Sequence, residues 1–151
     1  MKIIELKKEN AVKAFKEADA KGKELLKNLL GNEYFSDKIT DRIKSFEDVI
    51  DELKIASNFK PTGSKDEVAY IKLKLIAECL NEGWTPNWDN DSEYKYYPYF
   101  DMRSGVGFSH SYCDYWNTLT NVGSRLCFKS SELAEYAGKQ FEAIYKDFLT
   151  L

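Results

Sequence analysis

Histidine is nearly missing from this chain, with His110 the single example in 151 residues. A zinc centre needs about four ligands converging on one point. His110, Cys113 and Cys127 are the only His/Cys grouping, and regular strand alternation would turn His110 and Cys113 to opposite faces, so neither a metal site nor a Cys/His catalytic dyad is expected. The cysteines are few as well. Cys79, Cys113 and Cys127 are odd in number and lack CxxC spacing, which fits reduced thiols rather than a disulfide framework. No run of apolar residues approaches the length of a membrane span, and Met1 to Lys8 lacks the apolar core of a secretory signal. These absences lead to the expectation of a cytoplasmic protein without membrane attachment. An excess of positive charge is also missing: 22 Lys and Arg stand against 25 Asp and Glu, a net charge of -3. Duplex DNA binding draws its affinity from neutralised phosphates, so this balance argues against it.

Aromatic residues are what the chain has in surplus. All three tryptophans and six of the ten tyrosines fall between Trp84 and Phe128. The flanks read as helical. Val12, Phe15, Ala18, Leu25, Leu26 and Leu29 recur at helical spacing, which predicts one amphipathic helix with Asn10 as its N-cap, Gly22 as a weak point and Gly31 as its stop. Ile39 to Leu53 predicts one kinked helix or two short ones, with a capping box at Ser45-Phe46-Glu47-Asp48. Ser64-Lys65-Asp66-Glu67 is a second capping box, so a helix is expected to begin at Lys65. Its apolar residues, from Val68 to Leu80, cover more than half the circumference and mark a core helix. Residues 1–6 read equally as a strand or as the lead-in to a helix.

After Trp84 the hydrophobic period changes to two. Tyr94, Tyr96, Pro98 and Phe100 are expected on one strand face, with Lys95, Tyr97, Tyr99 and Asp101 on the other. A turn at 101–105 leads to a return strand that alternates bulky Val106, Phe108, His110 and Tyr112 with Gly105, Gly107, Ser109 and Ser111. Residues 115–121 read as a polar loop carrying Trp116, and residues 123–129 as a third strand. Ser130 or Ser131 then caps a last helix with Leu133, Tyr136, Ala137, Phe141, Ile144 and Phe148 inward. The expected fold is therefore α+β: N-terminal helices, a three-stranded antiparallel meander and a C-terminal helix packed on the sheet. A single domain over 1–151 is expected, with a helical part over 1–60 and a helix-meander-helix core over 64–151.

The strings Lys72-Leu73-Lys74-Leu75-Ile76, Leu80-Asn81-Glu82-Gly83-Trp84, Tyr96-Tyr97-Pro98-Tyr99-Phe100 and Gly123-Ser124-Arg125-Leu126-Cys127-Phe128-Lys129, followed by 132–141, carry a family likeness. This segment resembles small proteins of Bacteroidales bacteria and their phages and prophages that have no assigned activity. The resemblance implies a phage or mobile-element accessory protein and transfers no site residue.

Asp89-Asn90-Asp91-Ser92-Glu93 begins like a calcium loop, but Tyr94 stands where the loop needs glycine and Phe100 where it needs glutamate. No convergent acid, base and nucleophile set is visible, so binding without catalysis or cofactor is expected. The candidate ligand-binding residues are Tyr97, Tyr99 and Trp116 for stacking, with Arg103 and Arg125 for charge. The expected ligand is a nucleotide-like small molecule or a short nucleic acid. The alternative is a virion-associated or self-assembling structural protein, whose aromatics bury against a protein partner or in a homo-oligomer.

Overall fold

The computed structural model describes residues 6, 8–103, 108–121 and 123–150. Residues 104 and 105 of the turn expected at 101–105 fall outside them, as do Gly105, Val106 and Gly107 of the return strand and residues 1–5 of the open choice at residues 1–6. The chain forms two compact units, Met1–Arg42 and Ile43–Leu151.

In the first unit the single expected helix is two: α1 (Lys8–Glu17) and α2 (Ala20–Leu30). The break has a local cause. Asp19 leaves the helical path and its carboxylate accepts from the Gly22 amide at 2.8 Å, which makes it the N-cap of α2, whereas Asn10, the expected N-cap, lies inside α1. Gly31 ends α2 with φ +89°. Phe15 stacks on Phe35 at 4.2 Å, while Leu25 and Leu29, expected to face inward, are exposed. A 3-10 turn over Glu33–Phe35 leads into the short helix α3 (Ile39–Arg42).

The second unit opens with α4 (Phe46–Glu52), capped by the expected box: Asp48 N donates to Ser45 Oγ, and Ser45 N to Asp48 Oδ2. Helix α5 (Lys65–Asn81) begins where the Ser64–Glu67 pattern places it, with Ser64 N donating to Glu67 Oε2 at 2.7 Å. Ala69, Leu73, Ile76, Ala77, Cys79 and Leu80 are buried along it. Two successive positive φ values, +50° at Glu82 and +85° at Gly83, stop it.

The sheet has two strands among the described residues, β1 (Lys95–Asp101) and β2 (Ser109–Trp116), paired antiparallel. The third strand of the expected meander does not form. Residues 123–126 close a turn, with Leu126 N donating to Gly123 O, and only Phe128 pairs with β1, exchanging two hydrogen bonds with Tyr96. The backbone on either side of Phe128 is held by a side chain instead. Asn81, 5% exposed at the end of α5, donates from Nδ2 to Cys127 O and accepts at Oδ1 from Lys129 N, both at 2.9 Å. An amide offers one donor and one acceptor in the same plane, so it substitutes for a strand neighbour there.

Two further corrections concern β2. It continues through Tyr115 and Trp116, which were expected in a loop. Its register also slips: Tyr99 pairs with Tyr112 and Phe100 with His110, leaving Ser111 as a bulge. Tyr112 therefore faces opposite to His110, and His110 shares a face with Cys113, the reverse of simple alternation.

The last helix is two as well. α6 (Ser131–Gln140), N-capped by Ser130, packs on both strands, and α7 (Glu142–Leu149) packs along α5. The axis breaks at buried Phe141, with φ -112° and ψ 25°. At Gly138 of α6 helix and sheet come so close that a Cβ would collide with His110 Cδ2 and lie 2.8 Å from Pro98 Cβ. The inner sheet face is thus Pro98, Phe100, His110 and Cys113, with Phe100 against the rings of Phe108 and Tyr145 at 4.9 and 4.8 Å.

Candidate functional site

The outer sheet face carries the site. Tyr97 and Tyr99 project there from β1, and the bulge at Ser111 brings Tyr112, Asp114 and Trp116 to the same side from β2. The rings form a row. Trp88 lies 6.4 Å from Trp116, Trp116 stacks on Tyr97 at 4.0 Å, Tyr97 lies 6.4 Å from Tyr99, and Tyr99 stacks on Tyr112 at 4.9 Å. Cross-strand aromatic pairs of this kind each stabilise a sheet by about 0.2–1 kcal/mol. Two of the five rings remain about half in water all the same, with Tyr99 47% and Tyr112 50% exposed. Tyr97 and Trp116 are half-buried. A second cluster, Tyr94 and Tyr115 at 4.3 Å beside Tyr96, sits where the opposite face ends.

Of the sequence candidates, Tyr97, Tyr99 and Trp116 are therefore brought together. Tyr112 and Trp88 join them without having been expected. Period two without a bulge assigns Tyr112 to the His110 face, and Trp88 lies in a loop whose ring direction no periodicity reports. The arginines stand differently. Arg103 is bound to Asp101 through Nε at 3.0 Å and Nη2 at 2.5 Å, and this hydrogen bonding holds the Asp101 carboxyl down to about 2. Arg125 is exposed in the turn that begins at Gly123, where a Cβ would meet Trp116 Cη2 at 3.0 Å.

Lys95 departs furthest from its expected place on the open face. It is 0% exposed, and its Nζ donates to Asn90 O at 3.0 Å and Glu93 O at 2.6 Å, with Glu93 Oε1 at 3.3 Å. The ammonium also lies over the Trp88 ring at 5.5 Å. The calcium-like stretch thus folds around a cation that the chain supplies itself. Glu93 Oε1 also accepts from Asn87 N at 2.7 Å, the main cause holding that carboxyl below its usual range.

The face is acidic in character. Burial, then the Asp114 carboxylate opposite, then Tyr99 and Tyr112 push the Tyr97 hydroxyl up. On the inner face, burial lowers His110, helped by Lys139 and opposed by Glu135 and Glu142, and burial raises the Cys113 thiol. His110 N donates to Glu142 Oε2 at 2.8 Å, while its buried Nε2 has no hydrogen-bond partner. An imidazole pushed down and a thiol pushed up are poor nucleophilic machinery, although the bulge puts both on one face. Among the described residues no group of three or more His, Cys, Asp or Glu side chains is placed to hold a metal ion. No helix among them is long and apolar enough to cross a membrane. No protein-family model, curated protein or solved structure matches the chain.

Proposed function

We propose that this chain is a non-catalytic accessory protein, of the kind phages carry, that works in the host cytoplasm by docking a ligand on the outer face of its sheet. One observation carries the reading: five aromatic rings stand in a row on that face, with two of them about half in water. Exposed aromatic patches of this kind are characteristic of binding surfaces.

Charge decides between the two classes of ligand. A short nucleic acid needs cations beside the stacking rings. Here Lys95 is withdrawn from the surface, Arg103 is neutralised by Asp101, and Asp114 stands in the middle of the face, so that of the candidate cations Arg125 alone, exposed in the turn next to Trp116, stays available at one end of the row. Interaction with a protein is therefore the leading reading, and a nucleotide-like ligand the second. The second is favoured by one feature, the tilted rings of Tyr97 and Tyr99, 6.4 Å apart at 46°, which offer aromatic faces on which a flat ring can stack.

Trp88 and Trp116 are built-in reporters. Their fluorescence is to be followed while the protein is titrated with ADP, an oligothymidylate and peptides of defined charge, in the native chain and in a Tyr99→Ala/Tyr112→Ala variant. Binding that the double substitution abolishes is the expected result. A ligand whose affinity is the same in both proteins would remove this face from consideration.

A further inference from the structure

Resting on the reading of the outer face as a protein-docking surface, we infer that its occupant is an arginine-bearing, basic segment of a partner protein, its guanidinium stacked on the Tyr99/Tyr112 pair and paired with Asp114. Three observations converge on this chemistry. The rings present electron-rich faces and hydroxyls, the surface on which a planar cation is held best. The carboxylate is already in place: Asp114 pairs with Tyr97 in the register, between Tyr112 and Trp116 on the same side of β2, and its charge reaches the Tyr97 hydroxyl. It is oriented as well, because Asp114 Oδ1 accepts from Tyr115 N at 2.8 Å, which leaves the other carboxylate oxygen to meet a ligand.

The third observation is that the chain sets cations of its own against acids toward both ends of the row, one of them also over a ring. Lys95 lies over Trp88, held by Asn90 and Glu93, at one end of the row. Arg103 is clasped by Asp101 near the other. Between those ends the rings and Asp114 offer the aromatic face and acid that the Lys95 site combines, and no cation among the described residues is bonded to Asp114. The exposed Asp89 and Asp91, beside Trp88, extend the negative field. Arginine suits the middle of the row better than lysine, because a guanidinium stacks flat on a ring while donating in its plane to a carboxylate.

Fluorescence anisotropy with three labelled probes tests this: a nonapeptide of alternating glycine and arginine, its glycine-lysine counterpart, and a twelve-residue oligothymidylate. The arginine peptide is expected to bind more tightly than the lysine peptide. Asp114→Asn should weaken it roughly tenfold, the scale for removing one partner of a close charge pair. Asp51→Asn, which removes the same charge from an exposed position of α4, should leave it unchanged. Equal losses in the two variants would mean diffuse attraction and overturn the inference, as would equal affinity for the two peptides. If the oligothymidylate binds instead, in a manner abolished by Tyr99→Ala/Tyr112→Ala, the arginine assignment fails while the binding face stands. If no probe responds to the double substitution, both fail.

Discussion

Replacing Lys95 by methionine is the most demanding test of the structure, because it keeps the length and apolar stem of the side chain and removes only the ammonium. In the native chain Nζ donates to two backbone carbonyls, Asn90 O and Glu93 O, at 3.0 and 2.6 Å. Hydrogen bonds from a charged donor contribute about 1.5–3 kcal/mol each, and two made by one group are not additive. Some of that loss is recovered when the loop relaxes toward water, so the expected destabilisation is about 2–4 kcal/mol, a large share of the ~5–15 kcal/mol that holds a domain together. With a urea dependence of about 2 kcal/mol per molar, the unfolding midpoint should fall by roughly 1–2 M. Tryptophan emission should also shift to the red below the transition, since Trp88 loses the cation beneath it. A midpoint and emission spectrum equal to those of the native protein would refute the account of Lys95 as the clamp of the 87–93 loop.

Three other outcomes follow from the inner side of the sheet and its third position. Gly138→Ala should lower stability by about 1–3 kcal/mol by thermal or urea unfolding, despite the better helix propensity of alanine, because the added carbon meets His110 and Pro98. Asn81→Leu should cost about 2–3 kcal/mol by the same measurement, since it strands Cys127 O and Lys129 N inside the protein. Burial, helped by Lys139, lowers His110 in the folded protein from its ordinary value of 6.5. Protons then bind the unfolded chain more readily. Its contribution is fully present above pH 6.5 and is lost as pH falls through 6.5 toward the lower folded value. Urea midpoints measured between pH 7.5 and 5 should decline in the native chain and decline less in His110→Phe; parallel curves would contradict the assignment.

What could be read from the sequence was set by the range of the interaction involved. The starts of α4 and α5 lie in four-residue patterns that close on themselves, Ser45 with Asp48 and Ser64 with Glu67, so the sequence places both. The outward direction of Tyr97 and Tyr99 follows from alternation, which is equally local. The failures share a different origin. Ser111 bulges without a glycine or proline to mark it, and that one residue moves Tyr112 onto the candidate site and brings His110 to the side of Cys113. Lys95 has the composition of a solvent-facing residue, and only its neighbours two and five positions back draw it inward. The strand predicted over 123–129 has suitable residues. Its pairing is taken over by Asn81, more than forty positions away, a competition that no local window contains.

The Asn81 bridge also imposes an order on assembly. The β1–β2 ladder joins segments close in sequence and needs only its own register, whereas Phe128 meets Tyr96 beside two hydrogen bonds that span 46 and 48 residues. Closing loops of that length is entropically costly and is rewarded only once the end of α5 has its final place. The segment from Cys127 to Lys129 should therefore lock last. Its amides, Lys129 N above all, would exchange with solvent whenever α5 parts from the sheet, making them a direct gauge of that opening.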